Sequence, residues 1–386
     1  VSKVEPEKLL ELYSIVFQDV TLFNNTVMEN IIVGEERCGM VLKTKEQRKF
    51  LQEIIDKYEF NVNLDDKIEN LSVGEKQKVE ILKVLYRGAD IIIFDEPTAV
   101  LTPQEADHLM DIILGLKEDG KTILFISHKL NETSKIGDFI SVLRHGEIVY
   151  EDKKENTFPE KLAFEMVGKE TKFGDFARAE YHPGKPILRI TGAQLRAGKT
   201  PVSFEVRSGE IIGIAGVDGN GQQELEHLIV GMLKQKNCKI ELLDKDISQD
   251  SIIQRKMQGL AYIPSDRLKY AIMEDQSIAF NYLLGNQQRD EFNKKGLIDY
   301  KKLNAYSSEA VEKYDVRTAG IEENVGGLSG GNQQKMVLSR ELSQNPKLII
   351  AGQPTRGLDI GAIEFVHTAL LKERDNGNAV VLISAE

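Results

Sequence analysis

LSVGEKQKVEILKVLYRGADIIIFDEPT at residues 71–98 and LSGGNQQKMVLSRELSQNPKLIIAGQPT at residues 328–355 are two copies of one pattern. They stand 257 residues apart without a gap, since 328 − 71 and 354 − 97 both equal 257. Each copy runs from a loop of small residues through a helix-like segment into a short apolar strand; Val79, Leu82 and Leu85 mark the helical spacing in the first. Because the strands are apolar throughout, we expect a parallel sheet covered on both faces.

The repeat extends downstream and divides the chain. TILFISH at 122–128 and AVVLISA at 379–385 keep the offset of 257 residues. A repeat of this length marks two homologous α/β domains rather than a solenoid. We predict a first domain over 1–169, a linker over 170–184 and a second domain over 185–386.

The two predicted domains are unequal at their starts. The second opens with the strand-like stretches ILRIT, VSFEVRSG and EIIGIAG and a Gly-rich turn before any counterpart in the first domain appears. We therefore expect the first domain to lack its first strands and first helix. Since the chain also stops directly after a strand, at ISAE, the sequence is interpreted as a fragment cut at both ends.

The composition excludes several classes of protein. With 50 Lys and Arg against 61 Asp and Glu, the net charge is −11, which argues against a general nucleic-acid binder. A hydrophobic content of 41% argues against a disordered chain. The sequence contains no apolar run of about 18 residues, so it predicts no membrane span, and no secretion signal is visible. Cys38 and Cys238 are expected to be reduced thiols.

Asp95 and Glu96 end the apolar strand of IIIFDEPT, a Walker B pattern. A carboxylate at the carboxyl end of a central parallel strand faces the crevice where ligands bind. Asp95 is expected to hold Mg²⁺ through water, and Glu96 to orient and polarise an attacking water. The alternative, two solvated acids at a strand end, is weakened by the Pro-Thr that follows and by the LSVGE upstream.

His128 follows the next strand, 33 residues after Asp95 (128 − 95). It is predicted to donate a hydrogen bond to a terminal phosphate, the alternative being a structural histidine. Four other histidines are interpreted as structural: His108, His145, His227 and His367. The charged stretch around 151–155 is interpreted as the solvated face of a helix.

A glycine-rich turn, GIAGVDGNGQQ at 213–223, follows a strand and opens a helix. Such a turn exposes backbone N–H groups that favour phosphate. A full P-loop is G-x-x-x-x-G-K-[ST]. Here Gln222 replaces the lysine and Gln223 the hydroxyl residue, and no P-loop lysine is expected anywhere in the chain. Weak nucleotide binding without turnover is predicted, or else a tight turn without ligand; the residues concerned are Gly216, Gly219, Asn220, Gly221, Gln222 and Gln223.

The strand ends of the second domain are altered in the same direction. Gly352 and Gln353 stand at the positions of Asp95 and Glu96, and Ala385 at that of His128. The second domain is therefore not expected to run phosphoryl chemistry on its own residues.

The turn LSGGNQQ at 328–334 is intact, whereas the first domain has LSVGEKQ. Ser329 and the backbone at Gly330 and Gly331 can surround a γ-phosphate from a helix N-terminus.

With these residues the chain resembles the ATP-binding subunits of ABC transporters, of the fused two-cassette kind found in importers of sugars and nucleosides. The resemblance is carried from about residue 60 onward by LYRGADIIIFDEPTAVLTPQE, GIAGVDGNGQQEL and QPTRGLDIGAIEFVH. It implies two P-loop-type α/β nucleotide-binding domains, each with a mostly parallel sheet flanked by helices and a helical subdomain, the first of them incomplete.

The resemblance also implies that the two cassettes pair head to tail, so that each nucleotide lies between them. One composite site would join Gln18, Asp95, Glu96 and His128 with Ser329, Gly330 and Gly331, with Gln18 and Asp95 holding Mg²⁺ through water. The other would join the turn from Gly216 to Gln223 with Ser72, Val73 and Gly74. Asp359 would be a loop aspartate at the shared interface.

Three departures from the family pattern are visible. The P-loop of the first domain would lie before residue 1, so the chain as printed is expected not to hydrolyse ATP. Ser265 stands at the glutamine-loop position of the second domain. Residues 11–31 look more like an exporter cassette, which leaves the membrane partner open.

The function implied by the resemblance is coupling of ATP hydrolysis, with Mg²⁺, to uptake of a nucleoside or simple sugar. The partners would be two transmembrane permease subunits and, indirectly, an extracytoplasmic solute-binding protein, with the chain peripheral on the cytoplasmic side of the membrane. Two alternatives stay open: a soluble twin-cassette ATPase acting on ribosomes or DNA, and a non-catalytic fragment.

Overall fold

The structure is a computed structural model that describes residues 13–16, 21–33, 44–98, 101, 103–144, 146–168, 183–216 and 219–385. The chain forms two compact units, Val1–Glu170 and Thr171–Glu386. Most of the predicted linker, together with Gln18, Cys38 and His145, lies outside the described residues.

Unit 1 is built on a three-stranded parallel sheet with strand order β1-β2-β3. Its elements are β1 (Tyr13–Val16), α1 (Val27–Ile32), α2 (Thr44–Lys57), α3 (Val73–Arg87), β2 (Ile91–Asp95), α4 (Pro103–Glu118), β3 (Thr122–Ile126), α5 (Leu130–Ile136), β4 (Phe139–Arg144), β5 (Glu147–Lys153) and α6 (Pro159–Val167). The predicted α/β class with parallel strands is confirmed here.

The central strand of this sheet is fixed by its apolar side chains. Ile92 and Phe94 on β2 are 1% and 0% exposed, and they pack in one core with Leu82 of α3 and Leu116 of α4. Burial of such side chains contributes roughly 1.5–3 kcal/mol each. The strand therefore ends in a fixed place, with Asp95 as its last residue.

The interpretation of residues 151–155 as a helix is wrong. Residues 151–153 belong to β5, which pairs antiparallel with β4 and sets Ser141 opposite Glu151 and Phe139 opposite Lys153; residues 154 and 155 lie in the 3₁₀ turn Lys154–Asn156 that follows. The alternation of half-buried and exposed side chains over residues 150–153 has the period of a strand. Ladder pairing with β4 thus outweighs the helix preference that its Glu and Lys residues suggested.

Unit 2 contains a four-stranded parallel sheet of order β11-β14-β15-β8 and a four-stranded antiparallel sheet of order β10-β9-β6-β7. Its elements are β6 (Pro186–Ala193), β7 (Val202–Arg207), β8 (Ile211–Ala215), α7 (Gln222–Val230), β9 (Lys239–Leu242), β10 (Lys245–Asp246), α8 (Ile252–Met257), β11 (Leu260–Ile263), α9 (Arg267–Tyr270), α10 (Ile278–Leu283), β12 (Asn293–Lys294), β13 (Leu297–Ile298), α11 (Tyr300–Lys313), α12 (Gly330–Leu342), β14 (Leu348–Gly352), α13 (Ile360–Asp375) and β15 (Ala379–Ser384).

The sheet of unit 2 repeats that of unit 1 in register. β14 pairs with β15 from Leu348 opposite Ala379, as β2 pairs with β3 from Ile91 opposite Thr122. Every residue of β14 is buried, between two apolar clusters on its two faces. The doubly covered strand expected from the sequence is thus confirmed.

Helices α10, α11 and α12 form a separate cluster around Tyr282, Phe292 and Met336, each fully buried. This is the helical subdomain that the family resemblance implied. Arg340 of α12 joins it to the loops before α10, since its Nη1 donates to the carbonyl of Ala271 at 2.7 Å.

Arg255 of α8 anchors α7, the helix that follows the glycine-rich turn. The side chain is fully buried, and its Nη1 donates to the carbonyls of Leu228 and Ile229 at 2.7 Å each. Burial lowers the pKa of Arg255 from its ordinary value. Because these carbonyls lie in the last turn of α7, the cation satisfies acceptors that the helix itself leaves open.

No helix in the described part of the chain combines the length and the apolar character that a membrane span requires.

Candidate functional site

The carboxyl ends of β2 and β3 bring the predicted acids and the histidine together. Asp95 pairs in register with Ile126, the last residue of β3, and His128 follows two positions later. The backbone N–H of Glu96 donates to the carbonyl of Ile126 at 2.9 Å. The parallel register thus places the two loops side by side at one sheet edge, where ligands of open α/β sheets bind.

Glu96 and His128 form a hydrogen-bonded pair. Glu96 Oε1 lies 2.8 Å from His128 Nδ1, and the side chains are only 25% and 17% exposed. Glu96 has a φ of 44°, in the left-handed region that side chains rarely adopt. Such a conformation costs roughly 1–3 kcal/mol and marks functional sites more often than others.

The hydrogen bond between Glu96 and His128 shifts the pKa of each side chain in the direction that favours its charged form. The hydrogen bond to His128 lowers the pKa of Glu96, against the opposing effect of burial. The same hydrogen bond raises the pKa of His128 above its ordinary value of 6.5. Glu96 is therefore ionised at neutral pH, and the second ring nitrogen of a protonated His128 is a donor suited to a phosphate oxygen.

A second polar network, which the sequence analysis missed, ties the two loops to α5. Thr98, 1% exposed, donates from Oγ1 to Glu132 at 2.7 Å, and Ser127 Oγ donates to the same carboxylate at 3.2 Å. Lys129 Nζ reaches the carbonyl of Thr98 at 3.1 Å. The sequence carried one usable signal: Thr98 closes the DEPT motif and so lies at the same strand end as Glu96.

The corresponding loops of unit 2 have the same backbone conformation but lack the carboxylates and the histidine of unit 1. Gln353 has a φ of 40°, and its N–H donates to the carbonyl of Ile383 at 2.7 Å. Its side-chain oxygen accepts from the backbone N–H of Ala385 at 3.1 Å. The uncharged amide of Gln353 cannot act as a base, and Ala385 has no side-chain donor where unit 1 has His128.

The glycine-rich turn of unit 2 is formed as predicted between β8 and α7. Gly221 is the N-cap of α7 with a φ of 104°, and a Cβ there would lie 2.8 Å from the Cβ of Leu195, so only glycine fits. Gly219 also has a positive φ, 82°. Residues 217 and 218 within the turn lie outside the described part.

Gln222, at the position of the P-loop lysine, folds back over this turn. Its Oε1 accepts from the backbone N–H of Asn220 at 3.0 Å, and a Cβ on Gly216 would lie 2.6 Å from its Nε2. Arg196 Nη1 donates to Asn220 Oδ1 at 3.1 Å. One of the N–H groups expected to face phosphate is thus already bonded to the chain's own amide.

A literal match to G-x-x-x-x-G-K-[ST], GLKEDGKT at 115–122, was overlooked in the sequence. The structure places it at the end of α4 and the start of β3, the reverse of the strand–turn–helix order of a phosphate loop. Lys121 Nζ forms an ion pair with Asp90 at 2.9 Å. This stretch is therefore a helix-to-strand connection.

The two serine-led turns cap helices in different ways. Ser72 is the N-cap of α3 in a capping box, where its Oγ lies 2.8 Å from Glu75 Oε2 and accepts from the N–H of Glu75. Ser329 is the N-cap of α12, and its Oγ accepts from Asn332 Nδ2 at 2.9 Å. The first turn of α12 contains no acidic residue, whereas that of α3 contains Glu75. An added anion is therefore favoured at α12 and repelled at α3.

Two further side chains border the turn of α12. A Cβ on Gly331 would lie 3.5 Å from Asp359 Oδ2, so the predicted loop aspartate lies against this turn within unit 2. A Cβ on Gly330 would lie 2.7 Å from Arg267 Nη2, which the sequence analysis did not single out. Arg267 donates to Gln333 Oε1 at 3.3 Å, and burial lowers the pKa of its guanidinium.

The donor set of unit 1 fits Mg²⁺. Asp95 supplies a half-buried carboxylate at the end of β2, and Mg²⁺ in phosphate-transfer sites takes one or two carboxylates together with phosphate oxygens and water. Across the described ranges, no three His, Cys, Asp or Glu side chains gather into a metal cage.

Comparison with known proteins gives the family. The model of the ABC transporter family matches residues 3–99 and 200–356. The nucleoside import ATP-binding protein NupA of Lactococcus lactis subsp. cremoris is 41% identical over 367 residues, which cover 94% of this chain and 72% of that protein. The glucose import ATP-binding protein TsgD13 of Haloferax volcanii is 39% identical over 91% of this chain and 64% of its own length.

Among solved structures, the complex of an archaeal ribosomal stalk protein with the archaeal ribosome recycling factor aABCE1 is similar with a TM-score of 0.58. The match covers 96% of this chain and 68% of that chain at 21% sequence identity, so it supports the fold alone.

Proposed function

The chain belongs to the ABC transporter family of ATP-binding proteins, and from this premise we propose that it is the ATPase subunit of an importer that takes up a nucleoside or a simple sugar. The observation that carries the proposal is the Glu96–His128 pair at the ends of β2 and β3, 2.8 Å apart. The import proteins NupA and TsgD13, similar over more than nine tenths of this chain, support the class of cargo.

In the proposed reaction Glu96 orients and polarises the water that attacks the γ-phosphate of ATP. Because the hydrogen bond from His128 lowers the pKa of Glu96, the carboxylate is a weak proton acceptor, and positioning of the water is its main contribution. His128 donates a hydrogen bond to the γ-phosphate. Asp95 would hold Mg²⁺, and Gln18 is proposed as a second residue near it; when bound, Mg²⁺ neutralises charge on the phosphate oxygens.

The proposed working site is completed by the turn of Ser329, Gly330 and Gly331 across a head-to-tail pair of cassettes. The absence of an acidic residue in the first turn of α12 supports this assignment, since that helix N-terminus favours an anion. The second composite site would pair the turn from Gly216 to Gln223 with Ser72 and Gly74. It binds nucleotide weakly and does not turn it over, since Gln353 and Ala385 replace the catalytic residues.

The proposed setting is the cytoplasmic face of the cell membrane, with two permease subunits as direct partners and an extracytoplasmic solute-binding protein as an indirect one. ATP binding draws the cassettes together, and hydrolysis at the Glu96 site separates them.

The test uses the protein reconstituted with its permease subunits in lipid vesicles, with phosphate release and uptake of labelled nucleosides and sugars as readouts. Loss of both on Glu96→Gln is expected. Retention of both would contradict the proposal, and co-fractionation of the protein with ribosomes instead of membranes would favour the soluble twin-cassette class.

A further inference from the structure

Glu226 is a buried acid that no step of the proposed reaction uses. It lies on α7 and is 1% exposed, and its carboxylate sits at the end of β14. A Cβ built on Gly352 would lie 2.5 Å from Glu226 Oε2, 2.6 Å from its Cδ and 2.7 Å from its Oε1. The carboxylate therefore fills the space that any side chain at position 352 would need.

Position 352 is the counterpart of Asp95, since 352 − 95 equals 257. Unit 2 thus keeps a carboxylate at this strand end but supplies it from α7 instead of from the strand. Two carboxylates at this point, both shielded from water, would repel each other strongly. Glycine at 352 and glutamate at 226 are therefore a matched pair.

One oxygen of the Glu226 carboxylate already accepts two hydrogen bonds from a third element. Its Oε1 accepts from Tyr262 Oη at 2.6 Å and from the backbone N–H of Ser265 at 3.0 Å. Burial, with a further contribution from Glu226, raises the pKa of Tyr262 far above its ordinary value, so the phenol keeps its proton and donates. One side chain consequently ties together α7, β11 with the turn at Ser265, and the end of β14.

The described residues at the end of β14 do not fit Mg²⁺. The ion requires near-octahedral oxygen coordination and normally keeps several waters. Among the residues that the structure describes, the carboxylate found at this strand end is that of Glu226, which is 1% exposed and accepts two protein hydrogen bonds. Gln223 replaces the hydroxyl residue of a P-loop. The elements that a metal-dependent site would connect through the cation are here connected by protein atoms.

We propose that the described end of the glycine-rich turn of unit 2, residues 219–223, binds nucleotide without a divalent cation, and that Glu226 is the positioning residue that takes the cation's connecting role. This rests on the proposed nucleotide binding by unit 2 and goes beyond it by stating the metal requirement. The affinity of this site for nucleotide is independent of the Mg²⁺ concentration, whereas nucleotide binding at the Glu96 site depends on Mg²⁺.

The first experiment measures binding of mant-ATP to the full chain in EDTA and in MgCl₂, with 8-azido-ATP cross-linking and peptide mapping to locate the bound nucleotide. We expect cross-links near residues 216–223 and equal affinity in both buffers. Affinity at that site several-fold higher in MgCl₂ would overturn the inference while leaving nucleotide binding intact. Absence of binding in both buffers would overturn the proposed role of the turn and the inference with it.

The second experiment exchanges the matched pair. The double variant E226A/G352D opens the space and restores a strand-end carboxylate, so its nucleotide affinity should become about tenfold or more higher with Mg²⁺ than in EDTA. The isosteric control E226A/G352N should show no such difference. Thermal unfolding confirms that both variants fold; a folded E226A/G352D variant without Mg²⁺ dependence would overturn the assignment.

The single variant G352D gives an independent check through stability. It adds a side chain into the space that Glu226 occupies, so its melting temperature should fall, and E226A should restore most of the loss. A G352D variant as stable as the wild-type chain would contradict the placement of the Glu226 carboxylate.

Discussion

Glu96 and Gln353, equivalent residues 257 positions apart (353 − 96), hold the same left-handed backbone, with φ of 44° and 40°. Each N–H donates to the carbonyl that ends the neighbouring strand, Ile126 at 2.9 Å and Ile383 at 2.7 Å. The fold therefore maintains this turn in both units, although only Glu96 meets a histidine. Because the two units share this backbone turn but differ in its side chains, substitutions in one unit serve as controls for substitutions in the other.

In a protein that carries a complete P-loop for unit 1, Glu96→Gln should reduce ATP hydrolysis by about 10²-fold or more, because the neutral amide polarises the attacking water poorly. Nucleotide affinity should change little, since the group contributes mainly in the transition state. The matched control is Gln353→Glu in unit 2, which should leave hydrolysis unchanged because Gly352 and Ala385 supply neither carboxylate nor histidine. An equal effect of both substitutions on phosphate release would contradict the assigned roles.

The Glu96–His128 pair predicts a pH-dependent contribution to stability. The pKa of His128 is raised from 6.5, so its contribution is complete below pH 6.5 and is lost as pH rises through the pKa of the folded state. The pKa of Glu96 is lowered from 4.5, so its contribution is complete above pH 4.5 and is lost as pH falls through its folded pKa. The pair should stabilise the fold most between these two values.

A double-mutant cycle with E96A and H128A, followed by urea unfolding, measures this coupling. A hydrogen bond between charged groups contributes about 1.5–3 kcal/mol. We expect coupling of this size near pH 5.5, the middle of the window, and much weaker coupling once His128 is neutral. Coupling that stays constant into the alkaline range would refute the charged pair.

Gly221→Ala should destabilise unit 2 and abolish nucleotide binding by its turn. A φ of 104° with a Cβ places strain of about 1–2 kcal/mol or more on the chain. The new Cβ would also lie 2.8 Å from Leu195 Cβ. Gly213→Ala in β8 is the control, because nothing lies within 4 Å of its Cβ position. Thermal unfolding and mant-ATP titration should separate the two variants, and equal behaviour would refute the turn's assigned role.

Asn332→Glu should convert the turn of unit 2 into that of unit 1, since 332 − 75 equals 257. The new carboxylate can close a capping box on Ser329, as Glu75 does on Ser72, and repel the γ-phosphate. Hydrolysis should fall about tenfold while the melting temperature stays the same or rises. Glu75→Asn is the matched control and should leave hydrolysis nearly unchanged; the reverse ranking of the two variants would contradict the proposed pairing of the turns.

Much of the fold could be predicted because its signals are local. Apolar runs defined β2 and β14, and the turns before α3 and α12 marked where the helices begin. The family resemblance, carried by the same motifs, is confirmed by the match over residues 3–99 and 200–356. The helix expected over 151–155 was wrong for residues 151–153, because composition alone does not reveal that β4 is available for pairing.

The sequence by itself determined the repeat, the parallel sheets and the loss of acidic residues and histidine at the second strand ends, since each depends on residues close together or at a fixed offset. Only the tertiary structure decided which residues from distant parts of the chain meet at these strand ends. Glu226 and Gly352 are 126 residues apart (352 − 226), and Thr98 and Glu132 are 34 apart. Packing of separate helices and strands creates such contacts, and no local periodicity encodes which buried carboxylate will fill a given gap.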